Sequence, residues 1–128
     1  MTARNILCVL ALTVLAGCPS TGGPDLPRIE YELELVVVDA AALAEVLDLQ
    51  EKPDDAAKVR EIVVYLEMVV GTLKAVNEGG SLETAHEQVE AAIAGLDVLK
   101  VAFVDDDDAL IVIVLVQAVL RRVQARLG

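Results

Sequence analysis

Few side chains in this sequence are of kinds that carry chemistry, and most of those few are grouped. The densest group is Asp105-Asp106-Asp107-Asp108, four consecutive carboxylates. Carboxylate oxygens are what a hard cation such as Ca²⁺ takes as ligands. Adjacent side chains diverge, however, and the spaced ligands and turn glycine of a calcium loop are absent. The run therefore reads as a solvated loop that caps the helix after it. His86 is the single histidine, with Glu83, Glu87 and Glu90 close by in sequence. A histidine near a carboxylate is the minimum for general-base work, but no nucleophile neighbours it, and a place at the edge of an apolar stripe is the expected one. Gly79-Gly80-Ser81 stands before a helical segment, as phosphate-binding turns do. Neither the Walker lysine nor a dinucleotide glycine pattern behind a strand accompanies it, so a helix–helix turn explains it. Tyr31 and Tyr65 are amphipathic rings that suit either a core edge or an interface. No catalytic set, metal site or cofactor site emerges, and a non-enzymatic role is expected.

Two cysteines complete the inventory. Cys8 lies in an apolar run from Ile6 to Leu15, broken only by Thr13 and preceded by Arg4, the sole charged residue before position 25. A short positive start, about 7–15 apolar residues and small residues at the exit are the marks of a signal peptide. The run is shorter than the roughly 20 residues that a membrane span needs. Its exit, Leu15-Ala16-Gly17-Cys18, resembles the lipobox of bacterial lipoproteins. That resemblance covers residues 1–18 and assigns no activity to the rest. It implies cleavage between Gly17 and Cys18, diacylglyceryl attachment to the Cys18 sulfur, and acylation of the new amino terminus. With Cys8 removed and Cys18 lipidated, no thiol is left for a disulfide. Pro, Gly and Ser then cluster from Pro19 to Pro27 as a flexible tether. The expected division is signal peptide over 1–17, lipidated Cys18 and tether over 18–27, and an acidic domain over 28–128.

Charge narrows the partners. Ten Lys and Arg against 21 Asp and Glu give a net charge of −11, which excludes sequence-independent attraction to nucleic-acid phosphates. Removing Arg4 with the signal leaves the remainder more acidic still. Anionic headgroups repel such a surface, so membrane attachment falls to the lipid. A mean hydropathy of +0.58 and 55% hydrophobic residues argue against a disordered chain.

The elements that must position these residues follow from periodicity. Val59, Ile62, Val63, Leu66, Val69, Val70, Leu73 and Val76 recur at steps of three and four, as do Leu82, Ala85, Val89, Ala92, Ile93, Leu96, Leu99 and Phe103. Each set is one helical stripe. Pro53 with Asp54 and Asp55 marks a helix start, and Asn77 to Ser81 holds a stop and a new cap. Segments 29–38 and 110–116 are ambiguous. Ile29, Tyr31, Leu33, Leu35 and Val37 alternate with acids as a half-buried strand does, and 110–116 is rich in β-branched residues. A helix from about Arg28 to Gln50 is favoured, since Ile29, Leu33, Val36, Ala40, Leu43 and Leu47 also make a helical stripe. A helix from Asp106 to Arg126 is favoured for the last segment, with acids at its start and Arg121, Arg122 and Arg126 at its end.

The fold expected is all-α, an up-down-up-down four-helix bundle. The first and last helices carry more apolar residues than one stripe can bury. Val114 is expected in the core, and Tyr31, Leu35, Val38, Ile111 and Ile113 are the candidate partner surface. These features together imply a small lipid-anchored envelope protein, at the periplasmic face of the outer membrane, that binds or scaffolds an envelope partner or associates with itself. Secretin pilotins are similar in size and anchoring, an analogy that rests on no motif. A carrier of an apolar ligand between the helices is the alternative, and an enzyme the least favoured.

Overall fold

The computed structural model describes residues 25–128. These form four helices: α1 (Leu26–Leu49), α2 (Pro53–Asn77), α3 (Leu82–Ala102) and α4 (Asp107–Leu127). No strand occurs among the described residues. Both ambiguous segments are thus helical: the acids that alternate through Glu30, Glu32 and Glu34 fall on the flanks of α1, and the β-branched run lies within α4.

Local chemistry sets the helix ends. Asp25, Ser81 and Asp106 are N-caps whose side chains accept from the amides of Arg28, Glu83 and Ala109, satisfying donors that the first turn leaves open. Helix α2 lacks a side-chain cap but begins with Pro53 and carries Asp54 and Asp55 in its first turn. Helix α2 ends where Gly79 (φ 116°) donates to the Val76 carbonyl and Gly80 to the Ala75 carbonyl. This paired pattern is a Schellman motif, and the left-handed φ explains the glycine. Helix α1 ends in the same way, with Glu51 donating to Asp48 and Lys52 to Leu47. Glu51, at φ 60°, holds the left-handed position without being glycine.

The helices alternate in direction. Asn77 of α2 bonds Glu30 near the start of α1, and Arg60 of α2 pairs with Asp48 near the end of α1. Helix α2 is the spine, packing against α1, α3 and α4, while α3 also packs on α4. The core is aliphatic and continuous. All eight stripe residues of α2 are buried, together with Ile29, Leu33, Val36, Ala40 and Leu43 of α1. Leu47, Leu82, Ile93, Leu99 and Phe103 pack against it as partly buried neighbours. Gly95 of α3 lies under the Tyr65 ring of α2; a Cβ there would fall 2.9 Å from the ring Cζ and closer still to Cε1. The glycine lets the two helices and the ring share that space.

The phase of α4 corrects two expectations. Ile113, grouped with the partner surface, is in the core at 0% exposure, and Val114, expected in the core, is 51% exposed. In a run apolar at nearly every position from Ala109 to Leu120, composition gives no phase. It is set instead by Val112, Val116, Val119, Leu120 and Val123, which point inward together.

Candidate functional site

The lipobox Leu15-Ala16-Gly17-Cys18, with its cleavage site and lipidation residue, lies outside the described residues. None of the helices described is long and apolar enough to cross a membrane.

The acidic loop sits at the α3–α4 corner and lines an open depression with Lys58, Ala102 and Phe103. Its best-defined member is Asp106. One carboxylate oxygen caps the Ala109 amide at 3.0 Å, and the other accepts from the Lys58 ammonium at 2.7 Å. The Lys58 cation also stands 5.6 Å from the centre of the Phe103 ring, within cation–π reach. The bond to Asp106 lifts the Lys58 ammonium above its ordinary pKa. The same bond, with the Ala109 amide second, holds the Asp106 carboxyl below the usual carboxylate range. Lys58 was off the α2 stripe in sequence, but nothing in sequence located its partner 48 positions away. Among the described residues, no group of three or more His, Cys, Asp or Glu is placed to hold a metal ion. The geometry makes this corner a clasp between α2 and the start of α4.

His86 is half-buried beside the α3 stripe residues Ala85 and Val89, at the edge predicted for it. Gly79-Gly80-Ser81 is the α2–α3 turn and cap described above. Sequence reading missed Gln117, which is wholly buried on α4. Its Nε2 donates to the Ile93 carbonyl at 3.0 Å and to Asp97 Oδ1 at 2.8 Å. That donation, then Lys100, lowers the Asp97 pKa. Such a bond fixes how α3 and α4 sit against each other, since a buried amide needs its partners.

The surface of α1 is where the fold leaves something unaccounted for. Tyr31 and Val38 are each 61% exposed and Leu35 43%, as expected for a partner surface. The structure extends this set towards the C-terminal end of the helix, to Ala42, Val46 and Leu49, all exposed. At 100° per residue these six fall on one face, roughly opposite Ile29, Leu33, Val36, Ala40 and Leu43. Helix α1 is therefore apolar on two faces: one buried against the bundle, one open from Tyr31 to Leu49 and interrupted by Glu45. The α4 residues Ile111 and Val114 are also exposed. Helices α2 and α3 also expose apolar side chains, among them Val64, Met68, Val98 and Val101.

No protein-family model matches the chain, and no curated protein and no solved structure matches it either.

Proposed function

We propose that this chain is a lipid-anchored binding module of the bacterial cell envelope. In this reading acyl chains on Cys18 hold it at the periplasmic face of the outer membrane, and the outer face of α1 engages a protein partner. The observation that carries the binding role is the second apolar face of α1. A helix that packs by one stripe buries its apolar residues there and presents polar ones outward. Contiguous apolar patches that stay exposed mark interaction sites more often than not. Tyr31 adds a large amphipathic ring of the type that anchors interfaces.

The anchor rests on Leu15-Ala16-Gly17-Cys18. Seven positions separate Cys18 from the α1 N-cap Asp25, a span of at most about 25 Å. A tether that short keeps the start of α1 near the bilayer, where an envelope partner would meet it. Two or three acyl chains suffice for stable attachment, whereas one is marginal.

Mass spectrometry of the protein made in a Gram-negative host tests the anchor. The expected species begins at Cys18 and carries acyl chains, and Cys18→Ala leaves unprocessed precursor. A mature chain beginning elsewhere, without lipid, contradicts the anchor.

A further inference from the structure

From the charges around the exposed stripe of α1, we infer that its occupant is an amphipathic helix of a partner protein whose apolar seam is flanked by Lys and Arg. This rests on the binding role proposed above and names the class of partner.

The spacing of Tyr31, Leu35, Val38 and Ala42 alternates between four and three residues and reaches Leu49 a heptad later, with Val46 beside it and Glu45 in the intervening seam position. That is the seam of a helix made to pair with another helix. The seam runs about 27 Å, five turns, so a helix of similar length covers it.

Charge decides whose helix. Helix α1 holds six acids, Glu30, Glu32, Glu34, Asp39, Glu45 and Asp48, against one base, Arg28. Glu32 is engaged by Arg28 and Arg126, Glu34 by Lys74 and Asp48 by Arg60. Asp39 has no ion-pair partner among the described residues, and Glu45 makes no close ion pair there, though it feels the Arg60 cation that Asp48 holds. By helical angle Asp39 lies on one flank of the seam near its middle, and Glu45 lies at the other edge, within the seam register towards its C-terminal end. A second copy laid along this seam would set acids against acids, which flanking positions of paired helices avoid. A bilayer with anionic headgroups meets the same repulsion, and interfacial helices carry Lys and Arg in those positions instead. A helix with cationic flanks places its charges over Asp39, which has no ion-pair partner among the described residues, and beside Glu45 at the seam's edge.

The test uses the full chain, in phosphatidylcholine nanodiscs if lipidated and in buffer if not, with protein-free samples as blanks. Two labelled helical peptides share one Leu seam; one is flanked by Lys and Arg, the other by Glu. Fluorescence anisotropy is expected to show the cationic peptide binding at least about tenfold more tightly than the acidic one. Leu35→Glu with Val38→Glu is expected to weaken it by at least about tenfold more. Those substitutions make the protein more acidic, so non-specific attraction to a cationic peptide would rise rather than fall. Circular dichroism checks that the variant is folded, and Tyr31→Ser with Leu49→Ser, at the two ends of the seam, serves as an independent pair. Equal binding of both peptides, or binding undiminished in both variants, overturns the inference. So does a peptide-free dimer, seen by light scattering, that Leu35→Glu abolishes, because the occupant is then a second copy. A partner cross-linked through Val38 in cells, together with flat peptide data, overturns the cationic class while leaving the binding role standing.

Discussion

Leu33 and Leu35 are two positions apart on one helix and face opposite ways, and the same substitution at each has very different expected consequences. Leu33 is 0% exposed and touches the core shared with α2. Glutamate there loses the burial of a leucine, about 1.5–3 kcal/mol, and buries a carboxylate without a partner, several kcal/mol more. A domain of this size has roughly 5–15 kcal/mol in all, so Leu33→Glu is expected to leave the chain largely unfolded. Leu35 is 43% exposed, and only the covered part of its surface is lost. Scaling the same burial figure gives about 0.9–1.7 kcal/mol for Leu35→Glu. The carboxylate reaches water, so no desolvation cost adds to it. Urea titrations of residues 19–128, followed by circular dichroism at 222 nm, compare the two. Leu35→Glu is expected to keep a folded baseline with a modestly lowered midpoint, and Leu33→Glu to show little or no folded baseline. Equal losses would refute this, because the outer face of α1 would then be core.

Three further outcomes follow from particular contacts. Gly95→Ala gains about 1 kcal/mol of helix propensity but displaces the Tyr65 ring, for a net loss of about 1–2 kcal/mol; in a Tyr65→Ala background the same change is expected to stabilise, which a double-mutant cycle of denaturant midpoints reads directly. Glu51→Gly relieves a left-handed non-glycine residue and is expected to raise stability by about 0.5–1 kcal/mol, visible as a higher melting temperature. Asp106→Asn keeps a capping side chain but removes the charge that Lys58 pairs with. Since the folded Asp106 pKa is lowered, its contribution is present above the unfolded carboxylate pKa of about 4 and fades as pH falls through the folded value. The raised Lys58 pKa preserves the pair upward, to be lost only as pH climbs through the folded lysine value. The melting-temperature gap between wild type and Asp106→Asn is therefore expected at pH 7 and lost once the pH falls below the lowered folded value of the Asp106 carboxyl.

Much of the fold was legible because the inner stripes are periodic and the ends are punctuated. The α2 residues Val59 to Val76 gave both the helix and its buried face, and Pro53, Gly79 and Ser81 gave its limits and the next cap. What misled was uniformity. From Ala109 to Leu120 nearly every residue is apolar, so the pattern exchanges the places of Ile113 and Val114, and only packing against α2 and α3 resolves them. Long-range polar contacts were out of reach for a related reason. Lys58–Asp106 and Gln117–Asp97 join residues far apart in sequence, and each needs the crossing of particular helices to form. The outer face of α1 was half legible: Tyr31, Leu35 and Val38 stood out as surplus, but Val46 and Leu49 joined them only once the phase of the whole helix was known.

The proposed role stands most directly on what lies against α1 in the living envelope. A photoreactive residue placed at Val38, on the exposed seam, and at Thr84, exposed on α3, can be activated in cells that make the protein. A discrete adduct is expected between the Val38 site and a different envelope polypeptide, lost when Leu35→Glu is added, with no such adduct from Thr84. An adduct that forms equally from both positions, or none from Val38, contradicts the proposed role.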